Sequence, residues 1–273
     1  MSKPIKSLLL VAAFAISGIS QSLAQAPSGV LTNFTSGATA PVYDITGAYV
    51  LNQTVAGVSG TPINLSFQVS INQGIQGQLR NIDNVILVGI GANTVVGRYS
   101  LSGRIQTIKG ETHAKFSVHI HNTDVVAGVN TPFNINLRYD LVVSPGALGL
   151  PGSMSGTVRG SAQLGKFGSG SVLSDVSVSL PASPLMDGSW NLSMNILPLG
   201  HLSGTGSVTL SNGRALQMRL NGNFSEATGI SKVNLNGIQG SQGNTLHVEF
   251  LTSTNGVEIQ TLRGHLFGQQ VQE

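Results

Sequence analysis

The stretch Ile63-Asn-Leu-Ser-Phe-Gln-Val-Ser-Ile71 alternates at every position between an apolar and a polar residue. Successive side chains of a β-strand point to opposite faces of the sheet, so this stretch predicts a strand with one buried face and one solvated face. Strands of this kind are typical of antiparallel sheets, which often pack one face and leave the other in water.

The same alternation recurs along the chain, and it defines the predicted fold class. It is longest in Phe133-Asn-Ile-Asn-Leu-Arg-Tyr-Asp-Leu-Val-Val143, and Asn-Gly pairs such as Asn212-Gly213 supply turn signals between strands. The sequence therefore predicts an all-β protein of about twelve to fifteen antiparallel strands, sandwich or barrel-like. No helix is expected beyond the N-terminal segment.

Two irregular features fall inside the predicted strands. Gly103, Gly156 and Gly160 occupy strand positions, where glycine indicates a bulge or a close backbone approach. The alternation of residues 258–267 changes parity after Ile259, which predicts a bulge or a bend.

Composition excludes several classes of protein. Only 9% of the 273 residues are charged, against about 25% in an average globular protein. Ser, Thr, Asn and Gln together supply 87 residues, so the solvated strand faces are mainly neutral. The chain has no cysteine, which excludes thiol catalysis and disulfide scaffolds. Its 14 basic residues are scattered singly among 11 acidic ones, so we expect no nucleic-acid partner.

The N-terminus has the features of a secretory signal peptide over residues 1–24. Lys3 and Lys6 precede an uncharged, largely apolar run, and Ser22-Leu23-Ala24 forms a small-x-small cleavage site. The run is short for a bilayer span, so we expect no transmembrane anchor in the mature chain. Removing two lysines leaves 12 basic and 11 acidic residues. A cysteine-free, low-charge chain of this kind favours export to the bacterial periplasm or the extracellular space.

A possible internal duplication, together with the Gly, Ser and Pro content of residues 166–187, predicts the domains of the mature chain. Residues 25–40 are expected to form a flexible leader, and residues 41–165 a first β unit. Residues 166–187 would connect it, with one strand of their own, to a second β unit at residues 188–268.

Three short motifs recur in the same order, which suggests that the two units are related by duplication. Chance similarity in a chain rich in Gly, Ser and Thr is the alternative. The matched pairs are Gly47-Ala-Tyr49 with Gly188-Ser-Trp190, Leu101-Ser-Gly103 with Leu202-Ser-Gly204, and Thr157-Val-Arg-Gly160 with Thr261-Leu-Arg-Gly264.

His119 and His121 are the candidate metal ligands. Two residues apart on a strand, their imidazoles face the same side, a spacing that can hold zinc, copper or iron. His113 and Asp124 lie nearby in the sequence, and the pair formed by His247 and Glu249 has the same spacing. The alternative is that these are ordinary polar residues on solvated strand faces.

The second unit carries a short resemblance to calycin-type barrels, the lipocalin and avidin group. Gly188 and Trp190 match their Gly-x-Trp opening, and Arg263 matches their late arginine. The resemblance covers three residues. It implies a β-barrel whose cavity would hold an apolar ligand, with Trp190 and Arg263 at the border of that cavity. The alternative interpretation is that Trp190 is a core residue with no ligand contact.

Three functional hypotheses follow. The first is an exported, non-catalytic β-sheet protein with a structural or adhesive role and no cofactor. It would associate with itself or with an envelope or surface partner, because a low net charge weakens repulsion between copies. The second is a carrier of an apolar small ligand. The third is a metal-dependent enzyme that uses His119 and His121.

Overall fold

The computed structural model describes residues 28–32, 42–57, 60–122, 125–126, 129–130, 132–144, 152–180, 188–210, 213–253 and 256–272. The predicted signal peptide lies outside these residues. The described chain forms nineteen strands. In order they are β1 (Ser28–Thr32), β2 (Gly47–Gly57), β3 (Ile63–Gln73), β4 (Gln78–Asn81), β5 (Val85–Ile90), β6 (Asn93–Ile108), β7 (Glu111–Asn122), β8 (Val125–Val126), β9 (Val129–Asn130), β10 (Phe133–Ser144), β11 (Ser153–Gln163), β12 (Ser169–Ser179), β13 (Gly188–Ile196), β14 (His201–Leu210), β15 (Ala215–Ser225), β16 (Ile230–Gly237), β17 (Thr245–Ser253), β18 (Gly256–Leu266) and β19 (Gln269–Gln272).

The predicted all-β, antiparallel fold class is confirmed. The described residues contain two 3-10 helices, Gly165–Phe167 and Pro198–Gly200, and no α-helix. None of the helices in this part of the chain has the length and apolar character needed to cross a membrane. There are more strands than the predicted twelve to fifteen, because the alternation does not reveal pieces as short as β4, β8, β9 and β19.

The chain divides into two compact units. One comprises residues 43–183 and 267–269, and the other comprises residues 1–42, 184–266 and 270–273. The strand expected in the connecting segment, β12, pairs with β11 along its whole length and belongs to the larger sheet of the first unit. Within the expected flexible leader, β1 pairs with β13 in the second sheet.

The sheet of residues 43–183 closes on itself. Its strands follow the order β2-β12-β11-β10-β7-β6-β4-β3, and β2 also pairs with β3. β4 and β5 share one place between β3 and β6, so eight positions form a continuous up-and-down ring. An interior bounded by eight strands is about wide enough for side chains to fill.

Buried side chains from every position of the ring form one core. On β10, for example, Ile135, Leu137 and Leu141 are at most 1% exposed, while the alternate residues face outward. The rings of Phe116 and Tyr139 stack inside with their centroids 4.7 Å apart. The alternation of the sequence thus becomes an inner apolar face and an outer polar face.

The strand glycines mark close backbone approaches. A Cβ at Gly160 would lie 1.9 Å from the carbonyl oxygen of Asn136, and one at Gly103 would lie 2.3 Å from that of Lys115. The pairing of these strands with their neighbours runs without a register shift. Of the two meanings expected for these glycines, close approach is therefore the one that applies.

Two buried glutamines hold a non-strand segment at one side of the first unit. Gln73 accepts a hydrogen bond from the Ile45 backbone at 2.9 Å and donates one to the Tyr43 carbonyl at 3.1 Å. Gln269 accepts from the Tyr43 backbone N–H at 2.9 Å and donates to the same carbonyl at 2.7 Å. Both glutamines are 0% exposed, so these bonds satisfy backbone groups that water does not reach.

The second unit is a meander in the order β1-β13-β14-β15-β16-β17-β18-β19. Leu216, Met218 and Leu220 are buried on β15, and the alternate residues are exposed. The bulge predicted after Ile259 is confirmed, because Phe250 is in register with Ile259 and Glu249 with Thr261, which leaves Gln260 as the extra residue.

The sheets do not place the three repeated motifs at equivalent positions. In the first unit they lie on β2, β6 and β11, the first, fourth and seventh positions along the chain. In the second unit they lie on β13, β14 and β18, the first, second and sixth strands counted from β13. The shared feature is that Gly47 and Gly188 each begin a strand.

Candidate functional site

A polar row crosses the outer face of the closed sheet. In the strand register, Arg80 of β4 is opposite Ser102 of β6, which is opposite Ser117 of β7. The row continues to Arg138 of β10 and Arg159 of β11. Neighbouring strands are about 4.8 Å apart, so the row spans roughly 19 Å from its first arginine to its last. We call these five residues the outer row.

Arg138 and Arg159 are the distinctive pair in the outer row. They are directly opposite each other on adjacent strands, and both are exposed. Guanidinium groups stay charged at any ordinary pH, and like charges directly opposite each other destabilise a sheet. Neither arginine forms a salt bridge with another described residue.

The nearest carboxylate on the same strand as Arg138 is already paired with a lysine. Asp140 forms a salt bridge with Lys115 at 2.8 Å and contacts the ring of His113 at 3.1 Å. Burial alone would raise the pKa of Asp140, but the hydrogen bonds and positive charges of its two partners outweigh this and lower the pKa below its ordinary value. The carboxylate therefore stays ionised and bound to Lys115, and the arginine pair retains its positive charge.

Two shallow surface grooves adjoin the pair. One has a volume of about 500 Å³ and includes His119, Asn136 and Ser161 in its lining. The other has a volume of about 490 Å³ and includes Ser102, Lys115 and Asp140. Ser117, Arg138 and Arg159 line both grooves. The site therefore offers two guanidinium groups beside hydroxyl, amide and imidazole side chains and the ion pair of Lys115 with Asp140.

The candidate metal ligands lie beside this site. His119 and His121 share the outer face of β7, with ring centroids 5.4 Å apart, and His119 Nε2 lies 3.2 Å from the side-chain oxygen of Asn134. Within the described chain, no group of three His, Asp or Glu residues is placed to hold a metal ion. The two histidines lie on one face of the strand, as their spacing predicted. The described polar atom beside His119 is the amide oxygen of Asn134.

The other residues considered as metal ligands are dispersed. His113 contacts Asp140 and, at 3.6 Å, Glu111. Asp124 lies outside the described residues. His247 and Glu249 lie on β17 in the second sheet, where Glu249 forms a salt bridge with Lys232 at 3.0 Å. His247 is hydrogen-bonded to Asn234.

The two residues expected to border a ligand cavity belong to strands that are well separated in the second sheet. Trp190 is on β13, in register with Val208 of β14, and its side chain lies outside the described residues. Arg263 is exposed on β18, opposite His247. β13 and β18 are five places apart in the strand order.

The arginine pair is not apparent from the sequence, in which Arg138 and Arg159 are two of the singly placed basic residues. The available signal is parity: Arg138 follows the inward-facing Leu137, and Arg159 follows the inward-facing Val158. Parity predicts that both face outward. Only the register of the hairpin formed by β10 and β11 makes them direct neighbours.

Comparison with known proteins provides no family assignment. The chain matches no family model, no curated protein and no solved structure.

Proposed function

We propose that this is an exported, non-catalytic β-sheet protein of the bacterial envelope or extracellular space, with a structural or adhesive role carried by its outer strand faces. One observation carries the proposal. The interior of the closed sheet is filled by its own buried side chains, whereas the arginine pair and both described grooves are on the outside. The groups available to a partner are therefore arranged as a surface.

A second outward-facing feature supports association. Val85, Leu87 and Val96 are 57%, 61% and 48% exposed, and Leu87 is directly opposite Val96 on the neighbouring strand. We call these three residues the apolar patch. Grouped exposed apolar side chains mark interaction surfaces more often than scattered ones do.

Co-sedimentation with bacterial envelope fragments tests the adhesive role. We expect saturable sedimentation of the purified protein, reduced in a Leu87→Ser/Val96→Ser variant. Val50→Ser is the matched control, because Val50 is a 55% exposed valine on β2, outside both the apolar patch and the outer row. A protein that stays in the supernatant, and that light scattering shows to be a strict monomer at high concentration, would contradict the proposal.

Export is tested separately by expressing all 273 residues in a bacterium and measuring the intact mass of the exported form. We expect cleavage after Ala24, so that Gln25 is the first residue. An uncleaved chain that remains in the cytoplasm would contradict export without bearing on the surface role.

Two further measurements separate this proposal from its alternatives. Titration with an apolar fluorophore such as N-phenylnaphthylamine is expected to show no stoichiometric binding, and saturable 1:1 binding would favour a carrier. Elemental analysis is expected to show no stoichiometric metal. A bound metal that is lost in a His119→Ala/His121→Ala variant would favour the metalloenzyme.

A further inference from the structure

We propose that Arg138 and Arg159 form a binding site for a tetrahedral dianion, either a free phosphate or sulfate ion or a phosphate monoester on a larger molecule. The site does not depend on export or on adhesion, and it goes beyond both. It rests on the register of β10 and β11, on the absence of a salt bridge between either arginine and another described residue, and on the grooves that the two arginines share.

The register supplies the geometry. Side chains directly opposite each other on antiparallel strands have Cβ atoms about 5 Å apart, so the guanidinium groups of Arg138 and Arg159 can converge on one anion. Each guanidinium presents several N–H donors in a planar fork, which matches the oxygens of phosphate or sulfate. Ser117, opposite Arg138 on the other side, adds a hydroxyl group.

The local charge selects a dianion. The acids near the pair are Asp140, which is held by Lys115, and Asp175, which is opposite Thr157 and therefore diagonal to Arg159. Asp175 forms no salt bridge with either arginine. Two guanidinium charges side by side, neither in a salt bridge with a described residue, attract one dianion more strongly than they attract a singly charged carboxylate.

The grooves leave room for an ester. Each is far larger than a single oxyanion, at about 500 Å³ and 490 Å³, and their hydroxyl and amide groups can hydrogen-bond a polar organic portion. Leu173, directly opposite Arg159 on β12, offers an apolar contact at the end of the row. A phosphate monoester of an organic molecule therefore fits this surface as well as a free ion does.

Calorimetric titration at low ionic strength tests the site, with inorganic phosphate, inorganic sulfate, glucose 6-phosphate and acetate as probes. We expect 1:1 saturable binding of the tetrahedral anions and weaker binding of acetate at matched ionic strength. Tighter binding of glucose 6-phosphate than of inorganic phosphate assigns the site to an ester, and equal binding assigns it to the free ion. No saturable binding of any tetrahedral anion, or equal binding of acetate, would overturn the proposal.

Variants locate the binding. Arg138→Gln and Arg159→Gln are each expected to weaken phosphate binding by about tenfold or more, because each removes charge-assisted hydrogen bonds. The control is Arg219→Gln, which removes an exposed arginine of β15 whose register neighbours are Thr205 and Asn236. Binding that the two site variants leave intact, or that the control weakens equally, would refute the site.

Thermal unfolding gives an independent measure of the pair. Without phosphate at low salt, Arg159→Gln is expected to raise the melting temperature, because it removes the repulsion from Arg138. Phosphate should raise the melting temperature of the original protein and leave that of the variant nearly unchanged. A variant that melts lower in both conditions would show a structural role for Arg159 and would contradict the proposal.

Discussion

The two buried glutamines of the first unit allow a sharp energetic prediction. In a Gln73→Leu variant the Ile45 N–H loses its acceptor, but the Tyr43 carbonyl still accepts from Gln269. In Gln269→Leu the Tyr43 N–H loses its acceptor, but the same carbonyl still accepts from Gln73. The carbonyl loses both donors only in the double variant.

The magnitudes follow from these partners. A buried donor left without a partner costs about 1–3 kcal/mol, and a lost hydrogen bond whose carbonyl keeps another donor costs about 0.5–1.5 kcal/mol. Each single variant should therefore lower the free energy of unfolding by about 2–4 kcal/mol. The double variant should lose more than the sum of the two single variants, by about 1 kcal/mol or more, because it adds a buried carbonyl without a partner.

Urea denaturation followed by circular dichroism measures the three free energies. Hydrogen exchange adds a local readout, because Gln73→Leu should speed exchange at the Ile45 amide and Gln269→Leu at the Tyr43 amide. Gln68→Leu is the matched control, an exposed glutamine on β3, and its effect should stay within about 0.5 kcal/mol. A double variant whose loss equals or falls below the sum would refute the shared role of the Tyr43 carbonyl.

Three further predictions follow from single residues. Gly160→Ala should lower the free energy of unfolding by about 1–3 kcal/mol in urea, because its Cβ would lie 1.9 Å from a carbonyl oxygen, whereas Gly89→Ala, with its nearest contact at 3.4 Å, should be neutral or slightly stabilising. Burial raises the pKa of Tyr43 from 10.0 to about 12, and its hydroxyl has no partner in the described chain, so stability is lost as pH rises through this range. Tyr43→Phe should be more stable by about 1 kcal/mol at neutral pH and lose less in alkaline melting curves, and an unchanged alkaline loss would contradict this. The lowered pKa of Asp140 stabilises the fold above its ordinary titration range and ceases to do so as pH falls through the lowered value. Asp140→Asn should therefore melt below the original protein at pH 7, and the difference should disappear in acid once the carboxyl of the original protein is protonated.

The sequence was sufficient to predict the strands themselves. The alternation at residues 63–71 falls within β3, where Leu65, Phe67 and Val69 are buried and the residues between them face outward. The parity change after Ile259 predicted a bulge that the register between β17 and β18 confirms. Both are local properties, because the pleat of a strand fixes which face each side chain takes.

Closure of the first sheet could not be predicted in this way. It depends on β2 pairing with β12, which joins residues that are far apart in the sequence, and on two short strands sharing one place in the ring. The alternation of each strand is the same in a sandwich and in a closed sheet, because both present one face to a core. The sequence therefore left both architectures open.

The candidate site shows the same division. For His119 and His121, spacing along one strand predicted a shared face, and the structure places them there. For Arg138 and Arg159, parity predicts only that each faces outward, and their meeting depends on the pairing of two strands. By itself, therefore, the sequence determined the strands and the face on which each side chain lies, because these follow from the two-residue period of a strand. The tertiary structure decided which side chains become neighbours across strands, because the register is set by turns and packing and is not contained in either strand alone.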